Sequence, residues 1–219
     1  MIDKKPAPWQ LTGNAYIMLY KFPKEFVLKN GFLADFQRSR FLGYIGAVML
    51  VDYHSSNVGA YQELLFIPGM FTFDWKKVFS ISKIYVSTPE SVENGQNNWG
   101  IPKEIASFVW NKSLQGKTEI LVSREGKSFF SIEINERVFS IPFKSSIFPF
   151  TIVQRQDDDL LMTQPSFSGK MGVVSTKKIV VNSNYFPDIS KINPLITFKL
   201  SNFEMNFPNP TIKKKYFPE

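Results

Sequence analysis

Alternation of apolar and polar residues is the feature that most constrains the fold of this chain. It is clearest over residues 78–87 and 196–207, and runs rich in β-branched and aromatic residues cover 15–20, 43–53 and 58–67. A period of two puts successive side chains on opposite faces of an extended strand. Residues 118–134 add a hairpin whose turn, 124–127, contains Gly126. With two further runs at 137–141 and 177–183, the pattern predicts about nine β-strands.

Helical patterning is confined to residues 22–30, where Pro23 falls near the first turn and Gly31 just past the end. The segment 182–195, rich in proline and asparagine, has the composition of a loop, and no linker divides the chain. The 22 phenylalanines indicate a broad apolar interior or an apolar cavity. We therefore predict a mostly β protein with minor α, a single-domain antiparallel closed β-barrel over 1–219.

Several classes of chemistry are excluded by composition. The chain has no cysteine, which removes disulfides, thiolate nucleophiles and Cys-ligated metals. Its one histidine, His54, falls in a polar turn, so a multi-histidine metal site is impossible. Three successive acids, Asp157, Asp158 and Asp159, cannot all face one ion and indicate a solvated turn. No glycine-rich phosphate loop is present. We predict no metal and no cofactor, which leaves lysine and carboxylate chemistry.

The positive charge is spread along the chain. The net charge of +7 arises from scattered lysines, whereas nucleic-acid sites combine a local basic stripe with arginines and exposed aromatic residues. The best apolar run, 41–51, is too short to span a bilayer and contains two glycines, Gly43 and Gly46. The first residues lack the apolar region of a signal peptide. We expect a cytoplasmic protein with no nucleic-acid partner and no membrane association.

The segment "NNWGIPKEIASFVW" (97–110) places Lys103 among apolar neighbours such as Trp99, Ile101 and Phe108. A free lysine, with a pKa of about 10.4, is the neutral nucleophile in only about one molecule in 2,500 at pH 7. Burial lowers the pKa because it disfavours the charged form. A neutral amine condenses with a ketone to an iminium, which accepts the electron pair released when an adjacent carbon loses CO₂ or a proton.

Three segments resemble the acetoacetate decarboxylase family, in the right order from residue 8 to about 110. The run Gly100-Ile101-Pro102-Lys103, with Gly95 before it, resembles the family's active-site strand, and the family's reactive lysine falls on Lys103. The motif Tyr61-x-Glu63 in "GAYQELLF" resembles the strand that bears an active-site glutamate. The opening "PWQLTGNAYIMLYKF" (8–22) is similar to the N-terminal strand that leads into a short helix.

The resemblance implies a Schiff-base-forming lyase that acts on a small-molecule keto acid or ketone, a decarboxylase with altered substrate preference. Lys103 would form the iminium, and Glu63 would position substrate or carry a proton. The implied substrate-binding residues are Asn14, Tyr61, Gln96, Asn97 and Trp99. Like the family, the chain is expected to form a homo-oligomer.

Departures from the family surround the lysine. Glu104 stands where the best-known members have a second lysine, although strand alternation predicts that it faces away from Lys103. Gln96 and Asn97 replace an arginine and a glutamate, and Asn14 replaces an arginine. These neutral amides indicate a substrate other than acetoacetate. Two alternatives remain open: an aldolase–dehydratase that uses the same lysine, and a non-catalytic barrel that binds an apolar small molecule with Lys103 as a counter-ion.

Overall fold

Two β-sheets dominate the computed structural model, which describes residues 2–114, 116–136 and 139–214. The helices are α1 Lys24–Asn30, α2 Asp35–Arg38 and α3 Pro89–Trp99, and Ser145–Ile147 form a 3₁₀ turn. The strands are β1 Trp9–Tyr20, β2 Phe41–Gly43, β3 Gly46–Ser55, β4 Tyr61–Ile67, β5 Met70–Phe73, β6 Lys76–Phe79, β7 Lys83–Val86, β8 Lys103–Ile105, β9 Ser107–Lys112, β10 Lys117–Arg124, β11 Lys127–Asn135, β12 Ile141–Lys144, β13 Ile152–Gln156, β14 Asp159–Thr163, β15 Ser166–Val181, β16 Ile196–Phe207 and β17 Thr211–Lys213.

The larger sheet has eleven strands in the order β8-β7-β4-β3-β1-β16-β15-β11-β10-β9, with β12 also paired to β15. Strand β1 lies in the middle, where Ala15 pairs with Val51 of β3 on one side and with Leu200 of β16 on the other. The ladders are antiparallel except that β7 and β8 run parallel. The mostly β, largely antiparallel prediction is confirmed.

The predicted closure of the barrel is wrong in its hydrogen bonding. Within the described ranges, β8 and β9 are the two edges of the large sheet, and no ladder joins them. Only Ala106 separates these strands in the chain. Because a hairpin needs a turn of at least two residues, β8 and β9 cannot fold back on each other. The chain itself crosses from one edge to the other.

The smaller sheet has six strands in the order β17-β14-β13-β6-β5-β2. It corrects the prediction of one strand over 78–87, because β6 lies in this sheet and β7 in the larger one. Residues 80–82, which connect β6 in one sheet to β7 in the other, are buried, and two serine hydroxyls among them donate hydrogen bonds to backbone carbonyls. Ser80 Oγ donates to the Val153 carbonyl at 2.6 Å, and Ser82 Oγ donates to the Gly31 carbonyl at 2.6 Å.

Helix α1 confirms the helix predicted over 22–30, whereas α3 was not predicted. Its sequence, "PESVENGQNNW", is polar and contains a glycine, which weakens helix propensity. Its end signals are nevertheless strong: Thr88 Oγ1 accepts from the Ser91 N–H at the N-terminus, and Gly100 is left-handed with φ 64° at the C-terminus. These two signals could have located the helix from sequence.

The period-two pattern of β1 divides the apolar core into two clusters. Tyr16, Met18 and Tyr20 enter one cluster, whereas Leu11 and Ala15 enter the other. Facing residues of β3 and β4 separate in the same way. The second cluster surrounds the site described next. No helix in the described residues is long and apolar enough to cross a membrane.

Candidate active site

A cavity of about 510 Å³ lies against one face of the large sheet. Alternate residues of three neighbouring strands form its main wall, as the period of two requires. They are Trp9, Leu11, Ala15, Ile17 and Leu19 of β1, Ala47, Met49, Val51 and Tyr53 of β3, and Tyr61, Glu63, Leu65 and Ile67 of β4. The wall is therefore apolar except at Tyr53, Tyr61 and Glu63.

Lys103, the first residue of β8, extends into this cavity and is only 5% exposed. Its Nζ lies 3.3 Å from Oε2 of the buried Glu63 and donates to Ser91 Oγ at 3.0 Å. The amine also lies over the Tyr61 ring, 5.0 Å from the centroid. The ladders β4–β7 and β7–β8 bring the lysine and the glutamate together. The structure thus holds a buried amine beside a buried carboxylate.

One face of helix α3 covers the lysine. Ser91, Gly95 and Trp99 are four residues apart, so they share one face of the helix, and all three are buried. A Cβ placed on Gly95 would lie 2.6 Å from Lys103 Cδ and 3.3 Å from Nζ. Glycine at this position therefore provides the space that the lysine side chain occupies.

Burial and the neighbouring carboxylate act in opposite directions on the amine. Burial lowers the pKa of Lys103 below its ordinary value, and the opposing effect of the Glu63 carboxylate is smaller. Burial also raises the pKa of Tyr53 and Tyr61 well above 10, with the charge of Glu63 adding to the effect. Both phenols therefore remain protonated near neutral pH. Tyr53 Oη donates to Glu63 Oε1 at 3.4 Å.

Glu104 lies on the opposite face of β8, as strand alternation predicted. Its Oε2 accepts from Arg124 Nη1 at 2.6 Å, and its Oε1 pairs with Lys83 Nζ. The acid that follows Lys103 in the chain is thus paired with two other cations. The prediction that it faces away from Lys103 is confirmed.

The structure brings only some of the predicted site residues together. Lys103, Glu63, Tyr61 and Trp99 line the cavity, and Trp99 is anchored by its Nε1–H, which donates to the Pro208 carbonyl at 2.8 Å. Trp9 packs edge-on against Trp99, with ring centroids 5.0 Å apart.

Asn14, Gln96 and Asn97 do not line the cavity. Asn14 lies on the other face of β1, where its side chain bonds to the His54 ring and the Asn202 N–H. Gln96 is exposed and donates to the Lys103 carbonyl at 2.8 Å. Asn97 is exposed on α3. The alternation of β1 and the helical period of α3 point these three away, so the structure does not bring them to the amine.

Sequence reasoning missed Ser91, Tyr53 and Trp9, all of which contact the buried pair or its surroundings. Ser91 could have been found from the sequence. Thr88–Pro89 signals the start of a helix, and on that helix Ser91 lies one turn before Gly95 and therefore on the same face.

Asp157 turns with φ 52° between β13 and β14, as expected for the acidic loop. No cluster of three or more metal-ligating side chains occurs within the described ranges.

No protein-family model and no curated protein matches the sequence. Solved structures do match. The enduracididine biosynthesis enzyme MppR complexed with pyruvate superposes with a TM-score of 0.72 at 12% identity, covering 97% of this chain and 93% of that one. Acetoacetate decarboxylase from Legionella pneumophila gives 0.70 at 10% identity, with 96% and 89% covered. An acetoacetate decarboxylase-like enzyme from Sphingomonas wittichii RW1 gives 0.70 at 8% identity, with 97% and 95% covered.

Fold and site together define a mostly β protein that buries a lysine–glutamate pair in an apolar cavity. The structural matches cover nearly the whole chain. The chain has the acetoacetate decarboxylase-like fold. The resemblance seen in the sequence is therefore confirmed for the fold.

Proposed function

We propose that this protein is an enzyme, a Schiff-base-forming lyase that decarboxylates a keto acid with its carboxyl group two bonds from the ketone. The observation that carries the proposal is the Lys103 amine, which is buried in an apolar cavity with Glu63 Oε2 3.3 Å away. A buried lysine with a lowered pKa supplies the neutral nucleophile that iminium formation needs.

The reaction begins when the neutral Nζ of Lys103 attacks the ketone carbon. Loss of water from the carbinolamine forms the iminium. The bond to the carboxyl carbon then breaks, CO₂ leaves, and the bonding electron pair moves to the iminium nitrogen to give an enamine. Protonation of the enamine carbon regenerates an iminium, and water hydrolyses it to the ketone product and free Lys103.

Glu63 supplies the proton transfers. Glu63 lies close enough to Nζ to take protons during carbinolamine collapse and to return one to the enamine carbon. Tyr53, bonded to the same carboxyl group, holds Glu63 in place. Within the described residues, no cation besides Lys103 lines the cavity. A substrate carboxylate placed there is poorly solvated, which favours its conversion to neutral CO₂.

A second candidate reaction is the aldolase–dehydratase, favoured by one structural match. MppR has solved structures in complex with pyruvate and with the condensation product of pyruvate and imidazole 4-carboxaldehyde. The same buried lysine would join a keto acid to an aldehyde through its enamine, with loss of water.

Product analysis separates the candidates. Purified protein is incubated with a panel of keto acids, alone and with an aldehyde, while CO₂ release and condensation products are measured. Decarboxylation predicts CO₂ release by the native chain and by Lys112→Ala, a control at a half-exposed lysine, but not by Lys103→Ala. Equal CO₂ release by Lys103→Ala contradicts the proposal. A condensation product without CO₂ release assigns the second reaction instead.

A further inference from the structure

The cavity is far larger than a small keto acid requires. Its volume of about 510 Å³ falls in the range of about 300–1,000 Å³ that holds drug-sized ligands. Pyruvate has six non-hydrogen atoms and acetoacetate seven, so either would leave most of this space empty. Space lined by apolar side chains binds apolar ligands.

Polar groups collect at one end of the cavity. Lys103, Glu63, Tyr53 and Tyr61 lie together, and all four are buried. Elsewhere, the described lining consists almost wholly of Leu, Ile, Val, Met, Phe and Ala side chains. The indole N–H groups of Trp9 and Trp99 donate to backbone carbonyls and are not directed at a ligand. The cavity is therefore an apolar space with one reactive end.

The register of the strands shows in which direction the apolar part of the cavity extends from Lys103. Lys103 pairs with Ile84, and Ile84 pairs with Leu65, while the amine reaches back toward Glu63. From Glu63 the same wall continues through Leu65 to Ile67, four residues or about 13 Å along the strand. Exposure increases beyond Ile67, because Ile45, which precedes the β3 residues that pair at this end, is 40% exposed.

We infer that the substrate carries a long apolar group, which occupies the cavity from the carbonyl carbon at Lys103 to the exposed end at Ile45. This inference rests on the proposed function for the placement of the carbonyl, whereas the apolar binding rests on the cavity alone. The carbonyl end meets the amine, and the apolar group fills the space beside Leu65, Ile67 and Ala47.

Chain length provides the quantitative test. Each methylene moved from water into an apolar site contributes about fourfold in affinity, the fold-change that corresponds to about 0.8 kcal/mol. A series of straight-chain methyl ketones, from acetone to 2-tridecanone, is titrated by displacement of a fluorescent apolar dye. Affinity is expected to rise by up to fourfold per methylene and then to level off once the cavity is filled. Affinity that does not depend on chain length would overturn the inference.

Two alanine-to-phenylalanine variants form a matched pair, one that fills the cavity at the Ile67 end and one that lies outside it. Ala47 is 6% exposed and lies opposite Ile67 on β4, whereas Ala60 is exposed outside the cavity. In Ala47→Phe, the affinity is expected to stop rising at a shorter ketone than in the native chain. In Ala60→Phe, it is expected to stop rising at the same ketone length as in the native chain. Ala47→Val, a smaller change, preserves the test if the phenylalanine variant does not fold. If a folded Ala47 variant stops gaining affinity at the same ketone length as the native chain, the inference is contradicted.

Borohydride trapping with the same ketones separates this inference from the proposed function. A chain-length effect without trapping at Lys103 supports the apolar ligand and contradicts the lyase. Trapping at Lys103 with no chain-length effect supports iminium chemistry and contradicts the apolar ligand.

Discussion

The substitution Gly95→Ala tests whether helix α3 sets the position of the reactive amine. A methyl group at this position would lie 2.6 Å from Lys103 Cδ, 2.8 Å from Cε and 3.3 Å from Nζ. Ordinary carbon–carbon contacts are about 3.5–4.0 Å. The lysine side chain must therefore shift by about 1 Å, while the backbone of α3 stays in place.

The expected effects on stability and reactivity differ in size. Overpacking costs about 1–3 kcal/mol, but alanine is favoured over glycine in a helix by about 1 kcal/mol. The net loss in the free energy of unfolding is thus about 0–2 kcal/mol. A displacement of about 1 Å at a reacting group lowers the rate by about 10²-fold. Gly95→Ala should therefore fold normally and react slowly.

The assay measures the rate of borohydride-trapped adduct formation at fixed ketone concentration, with urea unfolding in parallel. Glu93→Ala is the matched control, because it places the same residue on the same helix away from the cavity. It should leave the trapping rate unchanged. A native trapping rate in Gly95→Ala would refute the view that this glycine provides the space for Lys103.

Three further predictions concern the surroundings of the amine. Glu63→Gln should lower turnover by about 10²-fold or more, because a proton-transfer group is lost. It should also move the pH midpoint of Lys103 modification to lower pH, because the carboxylate raises the pKa of this lysine; an unchanged midpoint and rate would leave Glu63 without a role. Glu104→Gln should leave that midpoint in place, because Glu104 lies on the other face of β8, and a clear shift would contradict this geometry. Trp99→Phe should lower the free energy of unfolding by about 1–3 kcal/mol in urea titrations, because the partly buried Pro208 carbonyl loses its donor and the smaller ring leaves space at a buried position; the same change at the fully exposed Trp75 should have no effect, and equal losses would contradict this reasoning.

Strands with a strict period of two were predictable because the alternation itself records which face is buried. β16 has the strict alternation seen in the sequence, β1 and β4 were located by their β-branched and aromatic runs, and the hairpin turn falls where Gly126 supplies a positive φ of 76°. The early part of β15, over 166–176, was missed because it is polar and contains glycines. Its extended form depends on β16 and β12 beside it, which no local pattern records.

The candidate site was only partly predictable for the same reason. Apolar neighbours and the family resemblance singled out Lys103, but its contact with Glu63 depends on the register of β4, β7 and β8. Asn14 and Gln96 were assigned to the substrate by resemblance. The face of β1 on which Asn14 lies and the face of α3 on which Gln96 lies both point away from the cavity. Closure of the barrel fails for a different reason: the two edge strands, β8 and β9, follow each other in the chain with only Ala106 between them, which leaves no turn for pairing.

The central claim is the proposal that Lys103 is the reactive amine that forms an iminium. Its most direct test is borohydride reduction in the presence of keto acids and ketones, followed by peptide mass analysis of the native chain and Lys103→Ala. The account predicts one adduct, carried by the peptide that contains Lys103 and lost in the variant. An adduct that persists in Lys103→Ala, or a native chain that forms none, would contradict it.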